Sequence, residues 1–145
     1  MALSISHGAF DASYSAFNRF RRHILRSIRG SFPPHDKKLV EDNNLQSDLW
    51  YWYIDENGKM PFNRNTHPGL YELFSHSDCS GEISPEKCKL LADELESILF
   101  HIKHLELNEP CSGQILNRGG YTQMTKDFIK GCRLAHQRKE PLEFL

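Results

Sequence analysis

The sequence has no apolar run long enough to cross a bilayer, which takes roughly 20 residues, and no charged leader followed by an apolar stretch and a cleavage site. These absences predict a cytoplasmic protein that does not enter a membrane. The sequence also has no phosphate-cradling glycine loop, no Gly-x-Ser-x-Gly turn and no His-Glu-x-x-His helix. We therefore assign no catalytic residue from sequence motifs.

Cysteine is scarce, and its spacing is not that of a typical metal site. The four cysteines are well separated and include no Cys-x-x-Cys pair; they are Cys79, Cys88, Cys111 and Cys132. Cys88 and Cys132 fall on apolar faces of predicted helices. We expect reduced, buried thiols that act as small apolar side chains, with disulfides as the less favoured alternative.

The remaining composition is that of an ordinary globular protein. The chain has 145 residues, of which 39% are hydrophobic and 26% are charged. This length fits one domain, 1–145, that can bury a sizeable core. We predict an α+β fold that is mostly helical, with a small antiparallel sheet made of a hairpin and, if they pair, the terminal strands.

Charge is distributed unevenly along the chain. Residues 1–38 contain seven basic and two acidic side chains, residues 39–110 contain five and fourteen, and residues 111–145 contain six and three. Two interpretations follow. Either the basic ends pack beside the acidic middle, or they form a surface for phosphate or an acidic partner.

The strongest periodic pattern predicts a long helix that begins at Pro85. Apolar residues recur at helical spacing through Cys88, Leu91, Ala92, Leu95, Ile98, Leu99 and Ile102. Ser84 is a suitable N-cap, and Pro85 suits the first helical position. A shorter helix with Thr66 as its N-cap precedes it, so the centre of the chain is a predicted helix-loop-helix.

The loop between these two helices resembles the calcium loop of an EF-hand. Aligning Gly81 with the sharp turn places Asp78 and Ser80 on ligand positions and the carbonyl of Glu82 on another. The first and last ligand positions hold His76 and Lys87, and the ammonium group of Lys87 would repel a cation. We therefore expect a loop used for its geometry, with calcium, or zinc through His76 and cysteines, as alternatives.

A basic amphipathic helix is predicted near the N-terminus. Its apolar side chains share one sector, while Arg19, Arg22, Arg26 and Arg29 lie nearly opposite. The arginines form either a solvated face or a surface for nucleic acid or an acidic protein. Arg21 points into the apolar sector, so we expect it either to extend towards solvent or to pair with a buried acid.

An aromatic segment, LWYWYI at 49–54, is followed by Asn57-Gly58 and predicts a β-hairpin with a type I′ turn. Neighbouring strand residues alternate sides, so Trp50 and Trp52 cannot share a face with Tyr51 and Tyr53. Some of these rings are expected to be exposed. This makes Trp50 and Trp52 candidate partner-binding residues.

The two ends of the chain are predicted to meet. Leu3 and Ile5 alternate with serines and favour a first strand, and residues 142–144 favour a last one. Between residues 105 and 120 we predict a loop, followed by a final helix that starts at Tyr121 or Thr122 and stops before Pro141. Pairing of the terminal strands would bring the two basic ends together.

Four segments carry a family resemblance. They are SHGAF (6–10), SYSAFNRFRRHI (13–24), THPGLYELFSHSDCSGEISPE (66–86) and GCRLA (131–135). These resemble segments of a family of small, uncharacterised bacterial and phage-associated proteins, and the resemblance covers most of the chain. It implies one intracellular domain of recurring design, and it implies no catalytic residue.

These observations favour a noncatalytic cytoplasmic binding module that uses the basic helix and the aromatic hairpin. A small metal- or histidine-dependent hydrolase or nuclease is the alternative, in which His7, His67 or His76 would gather with Asp78 or Glu82. His101 and His104, three residues apart on one helix, could also contribute to a metal site. A calcium-binding protein is the third hypothesis.

Overall fold

The computed structural model describes residues 2–28, 65–76, 80–109 and 111–145. Helices account for 69% of the described residues, and a four-stranded antiparallel sheet completes an α+β domain, as predicted. The strands are β1 (Ala2–Ile5), β2 (Phe10–Ser13), β3 (Gly81–Ile83) and β4 (Leu142–Phe144). The helices are α1 (Tyr14–Ser27), α2 (Pro68–Ser75), α3 (Pro85–Asn108), α4 (Gly113–Asn117) and α5 (Tyr121–Arg138), with a 3-10 turn at Ser6–Gly8.

The sheet confirms the predicted pairing of the two ends of the chain. Its strand order is β2-β1-β4-β3, and every neighbouring pair is antiparallel. Ile5 of β1 lies opposite Phe144 of β4, and Ser4 and Leu145 exchange backbone hydrogen bonds. β4 therefore joins the N-terminal hairpin to the short strand of the central loop.

One face of the sheet supplies part of the core. Alternate residues point inward and are buried: Leu3, Ile5, Phe10, Ala12, Ile83, Leu142 and Phe144. Their neighbours Ser4, Asp11, Glu82 and Glu143 are exposed on the outer face. Phe17 contacts both Phe10 and Phe144 edge to face, and Phe20 lies beside Phe10 and Phe128. Aromatic rings thus hold α1 and α5 against the inner face.

The helix starts follow local capping rules where the sequence provides a cap. The Ser13 hydroxyl accepts the N–H of Ala16 at 3.1 Å, and the Ser84 hydroxyl accepts the N–H of Lys87 at 3.3 Å. The predicted start of α3 at Pro85 and the start of α5 at Tyr121 are confirmed.

Two other helices are capped by carboxylates from α3. Glu94 accepts the N–H groups of Gly69 and Leu70 at the start of α2, and Glu106 accepts those of Tyr121 and Thr122 at the start of α5. The prediction of Thr66 as the α2 cap is wrong, because the cap position is His67 and Glu94 supplies the oxygens. Burial raises the pKa of Glu94, while both backbone hydrogen bonds act in the opposite direction.

Two further predictions need correction. The region predicted as a loop from 105 to 120 contains the last turn of α3 and the short helix α4. β2 and β3 are additional strands: β2 forms a hairpin with β1, and β3 pairs with the distant strand β4. The predicted aromatic hairpin lies outside the described residues.

None of the helices in the described ranges is both long enough and apolar enough to cross a membrane.

Candidate interaction surface on the first helix

Ion pairs connect the basic ends of the chain to its acidic middle. Arg26 of α1 pairs with Glu109, which follows α3. Arg133 of α5 pairs with Asp93 and Glu96 of α3, and burial is slight at these contacts. Hydrogen bonds from Lys89 and then from Arg133 lower the pKa of Asp93, and the bonds to Asp93 and Glu96 raise the pKa of Arg133. The interpretation that the charge asymmetry is partly internal therefore has direct structural support.

The predicted arginine stripe divides into side chains in different environments. Arg19 is exposed. Arg22 is half-buried, and burial lowers its pKa. Arg26 forms an ion pair with Glu109. Within the described part of the chain, no carboxylate lies within ion-pair distance of Arg19. Arg29, the fourth predicted member, lies outside the described residues. Among the described arginines of the stripe, Arg19 is therefore an exposed cation that is available to a partner.

The short helix α4 lies beside Arg19. Gln114 accepts the backbone N–H of Ser13 through Oε1 at 3.0 Å, which ties α4 to the junction of β2 and α1. The guanidinium of Arg19 passes Gly113, where an added Cβ would lie 3.9 Å from Nη2. Ile115 faces the core, whereas Leu116 is 60% exposed. The surface formed by Arg19, Gln114 and Leu116 is called the α1–α4 surface below.

A buried histidine of α1 packs against α3 and α5. The His23 ring stacks on Tyr121 with a centroid separation of 4.0 Å, and its Nε2 lies 3.0 Å from the carbonyl oxygen of Ile102. Burial lowers the pKa of His23, so the neutral ring is favoured. Burial also raises the pKa of Tyr121, and the nearby charge of Arg19 opposes that shift. These contacts join α1, α3 and α5 behind the arginine face.

Arg21 is buried and connects α1 to the end of α2. Its side chain is buried, and Nη1 donates hydrogen bonds to the carbonyls of Leu73 at 3.2 Å and His76 at 2.7 Å. Its Nη2 donates to Asn18, and the guanidinium lies over the Phe17 ring. The alternative in which Arg21 extends towards solvent is wrong, and its pairing with a buried acid stays a prediction. Arg21 instead satisfies carbonyls at the C-terminal end of α2.

The central loop places a histidine close to its glycine turn. His76 Nε2 lies 3.1 Å from the carbonyl oxygen of Glu82, and the ring stacks on Phe144 with a centroid separation of 3.9 Å. Gly81 has φ +104°, and a Cβ there would lie 3.2 Å from the ring. The carbonyl predicted as a calcium ligand therefore already has a hydrogen-bonding partner.

The other predicted metal ligands are not brought together in the described structure. Ser80 and the Glu82 side chain are exposed. Asp78 and Cys79 lie outside the described residues. Across the described ranges, no group of three or more His, Cys, Asp or Glu side chains could hold a metal ion. Cys88 and Cys132 are free and fully buried, as expected, and Cys111 is half-buried.

The histidines of the hydrolase hypothesis have different partners. His7 contacts Ser6 and Glu140, His67 contacts Thr66, and His76 contacts Glu82 and Phe144. His101 and His104 are exposed on α3, where His104 stacks on Phe100. Trp50 and Trp52 of the predicted aromatic surface lie outside the described residues.

The sequence identified Arg19 of this surface but not Gln114 or Leu116, and it did not indicate Glu109 as the partner of Arg26. Leu116 belongs to a short segment without a periodic pattern, and only the fold places its helix, α4, beside Arg19. The acidic excess of residues 39–110 was the one sequence feature that pointed to pairing with the arginines.

Comparisons of the chain with protein-family models, curated proteins and solved structures found no match.

Proposed function

We propose that this domain is a noncatalytic cytoplasmic binding module whose α1–α4 surface binds an acidic protein segment carrying an apolar side chain. The observation that supports this most directly is the position of Arg19. It is an exposed guanidinium without a carboxylate partner among the described residues, next to a helix that presents Leu116.

Charge complementarity determines the partner's chemistry. A guanidinium binds carboxylates through two parallel hydrogen bonds, and an exposed leucine gains free energy when a partner covers it. Arginine is enriched at protein interfaces, where it often surrounds an apolar contact. An acidic segment with a leucine, isoleucine or phenylalanine satisfies both groups.

Nucleic acid fits the same surface less well. Affinity for a phosphate backbone depends on several cations acting together, because each neutralised phosphate releases counterions. On α1, Arg26 is already paired with Glu109, and burial lowers the pKa of Arg22. The neighbouring outer face of the sheet carries Asp11, Glu82 and Glu143, which would repel phosphate. An acidic protein segment can bind through one or two contacts with cationic side chains.

The proposal can be tested by fluorescence anisotropy with a labelled peptide of alternating glutamate and leucine. A peptide of the same length with glutamine in place of glutamate separates charge from hydrophobicity. We expect the acidic peptide to bind, its affinity to fall with added salt, and the glutamine peptide to bind at least about tenfold more weakly.

Variants locate the binding on the protein. Arg19→Ala and Leu116→Ala should each weaken binding about fivefold to tenfold, as expected for an interface anchor on the surface. Lys130→Ala, an exposed cation on α5, is the matched control and should bind like the wild type. Absence of binding at low salt, or equal affinity of the Arg19→Ala protein, would contradict the proposal. Tighter binding of a mixed-sequence oligonucleotide that depends on Arg19 would replace the acidic protein with nucleic acid.

A further inference from the structure

A small cleft lies on the surface at the other end of α4. Its volume is about 120 Å³, and it opens where the turn before β2 meets the end of α4 and the first turns of α5. The backbone of residues 8–10 forms one wall. Three charged side chains line the cleft, namely Asp11, Arg118 and Asp127.

These charged groups face one cleft without forming ion pairs. In the described structure, no carboxylate lies within 4.0 Å of the Arg118 guanidinium. Asp127 accepts a hydrogen bond from Gln123 at 3.0 Å, one turn earlier on the same helix. One cation and two anions therefore line the same small cleft, yet the cation forms no ion pair with either anion.

Each of the three groups belongs to a different element. Asp11 is fixed in β2, opposite Ser4 of β1. The backbone N–H of Arg118 bonds to carbonyls within α4, which fixes the end of that helix. Asp127 lies on α5, which is anchored at its start by Glu106. The fold therefore brings three charged side chains from three elements to one cleft.

The cleft also has an apolar side. Met124 and Phe10 line this side. Both side chains are almost fully buried and belong to the core, so the cleft borders the edge of the core here. A volume of about 120 Å³ is well below the roughly 300–1,000 Å³ typical of drug-sized ligands. The occupant must therefore be small, with polar groups of both signs and little apolar bulk.

We propose that this cleft binds a small zwitterion, of the class of free amino acids, with its ammonium group between Asp11 and Asp127 and its carboxylate on Arg118. A guanidinium suits a carboxylate because it donates two parallel hydrogen bonds. A simple cation would satisfy the aspartates but would add positive charge beside Arg118. A simple anion would satisfy Arg118 and be repelled by two carboxylates. Only a ligand with both charges pairs all three side chains.

Isothermal titration calorimetry of the wild-type protein tests the ligand class. The probes are glycine and alanine, with methylammonium and acetate as matched compounds that carry a single charge. We expect saturable binding of an amino acid and binding at least about tenfold weaker for either single-charge probe, since each lacks one charged hydrogen-bonding group. Failure of both amino acids to bind would overturn the proposal. Equal binding of methylammonium would overturn it as well, because the cleft would then be a cation site.

Substitutions in the cleft test the location. Asp127→Asn and Arg118→Gln change charge with little change in size, and each should weaken amino-acid binding about tenfold. Glu143→Gln on the outer face of the sheet and Lys130→Gln on α5 are the controls and should leave the affinity unchanged. Binding that survives both cleft substitutions would place the ligand elsewhere and refute the assignment. Arg19→Ala should not affect this binding, which separates the cleft from the α1–α4 surface.

Discussion

Arg21 shows how one buried charge can position two elements. Its guanidinium reaches from α1 to the carbonyls of Leu73 and His76 and donates hydrogen bonds to both at the C-terminal end of α2. An arginine suits this position because its planar group keeps several donors in fixed directions and remains charged when buried. The same contacts hold His76 where it meets Glu82 and Phe144.

We expect Arg21→Lys to destabilise the fold by about 2–3 kcal/mol, because a single ammonium cannot reproduce the separate bonds to two carbonyls and an amide. Urea unfolding monitored by circular dichroism measures this change. Arg19→Lys, two residues away and exposed, is the matched control and should change stability by less than about 0.5 kcal/mol. Equal effects of the two substitutions would show that the bonds of Arg21 contribute little.

His23 predicts a dependence of stability on pH. Burial lowers the pKa of His23 below its ordinary value of 6.5, so the unfolded chain binds a proton more readily than the folded protein does. Acid therefore favours unfolding, and the stability present above pH 6.5 is lost as the pH falls towards the folded-state pKa.

The measurement is the free energy of urea unfolding at a series of pH values from about 7.5 to about 5. His23→Gln should flatten the slope in this range, because glutamine does not titrate. His101→Gln, on the exposed side of α3, is the control and should leave the slope like that of the wild type. An unchanged slope in the His23→Gln protein would assign the acid sensitivity to other groups.

At the scale of elements, α3 organises the fold through its carboxylates as well as its apolar stripe. Glu94 and Glu106 occupy the starts of α2 and α5, two helices that lack a side-chain cap of their own. A helix start leaves backbone N–H groups without partners, and its positive dipole end favours a carboxylate. The long helix thus sets the positions of its neighbours.

Replacing Glu94 by alanine should remove the cap of α2 and destabilise the protein by about 1–2 kcal/mol. Glu96→Ala is the control, because Glu96 is exposed, lies two residues away and makes only a surface ion pair with Arg133, typically worth about 0–1 kcal/mol or less. Hydrogen exchange should show faster exchange of residues 69–75 in the Glu94→Ala protein alone. Equal exchange in the two variants would argue against capping by Glu94.

The contact between α5 and the turn before β2 depends on the absence of a side chain. A Cβ on Gly131 would lie 2.6 Å from the Cβ of Ala9 and 2.7 Å from its Cα. Alanine is normally better than glycine in a helix by about 1 kcal/mol. Here the clash should outweigh that gain, and Gly131→Ala should destabilise the protein by about 1–2 kcal/mol.

A double-mutant cycle with Ala9→Gly tests this explanation. Removing the opposing methyl group should recover part of the stability lost in Gly131→Ala, and thermal unfolding of the four proteins gives the interaction free energy. Strict additivity of the two substitutions would mean that the methyl groups do not meet.

Local patterns predicted the long helices and missed the short elements for a physical reason. The apolar stripe of α3, with Ser84 and Pro85 at its start, is a property of consecutive residues. β3 and α4 are only three and five residues long, so distant partners such as β4 and α1 decide whether they form. Likewise, the sequence indicated the arginine stripe, but the pairing of Arg26 and the placement of Leu116 depend on the fold.

At the scale of the whole molecule, β4 connects parts of the chain that are far apart in sequence. It pairs with β1 on one side and β3 on the other, and Phe144 lies between the Phe17 and His76 rings. The N-terminal hairpin, the central loop and the last helix therefore depend on a few residues near position 144. This arrangement predicts that damage to β4 affects the whole fold and is not confined to one edge.

Phe144→Ala should destabilise the protein by about 3–5 kcal/mol, because it removes a buried ring and leaves a cavity between the sheet and α1. Leu145→Ala is a matched control, since the Leu145 side chain is exposed and its backbone bonds to Ser4 are retained. Urea unfolding followed separately by far-UV circular dichroism and by hydrogen exchange of α5 should give coincident transitions that shift together in the Phe144→Ala protein. A shift in only one of the two transitions would show that β4 stabilises one part of the molecule locally, and that its connecting role is limited to the sheet.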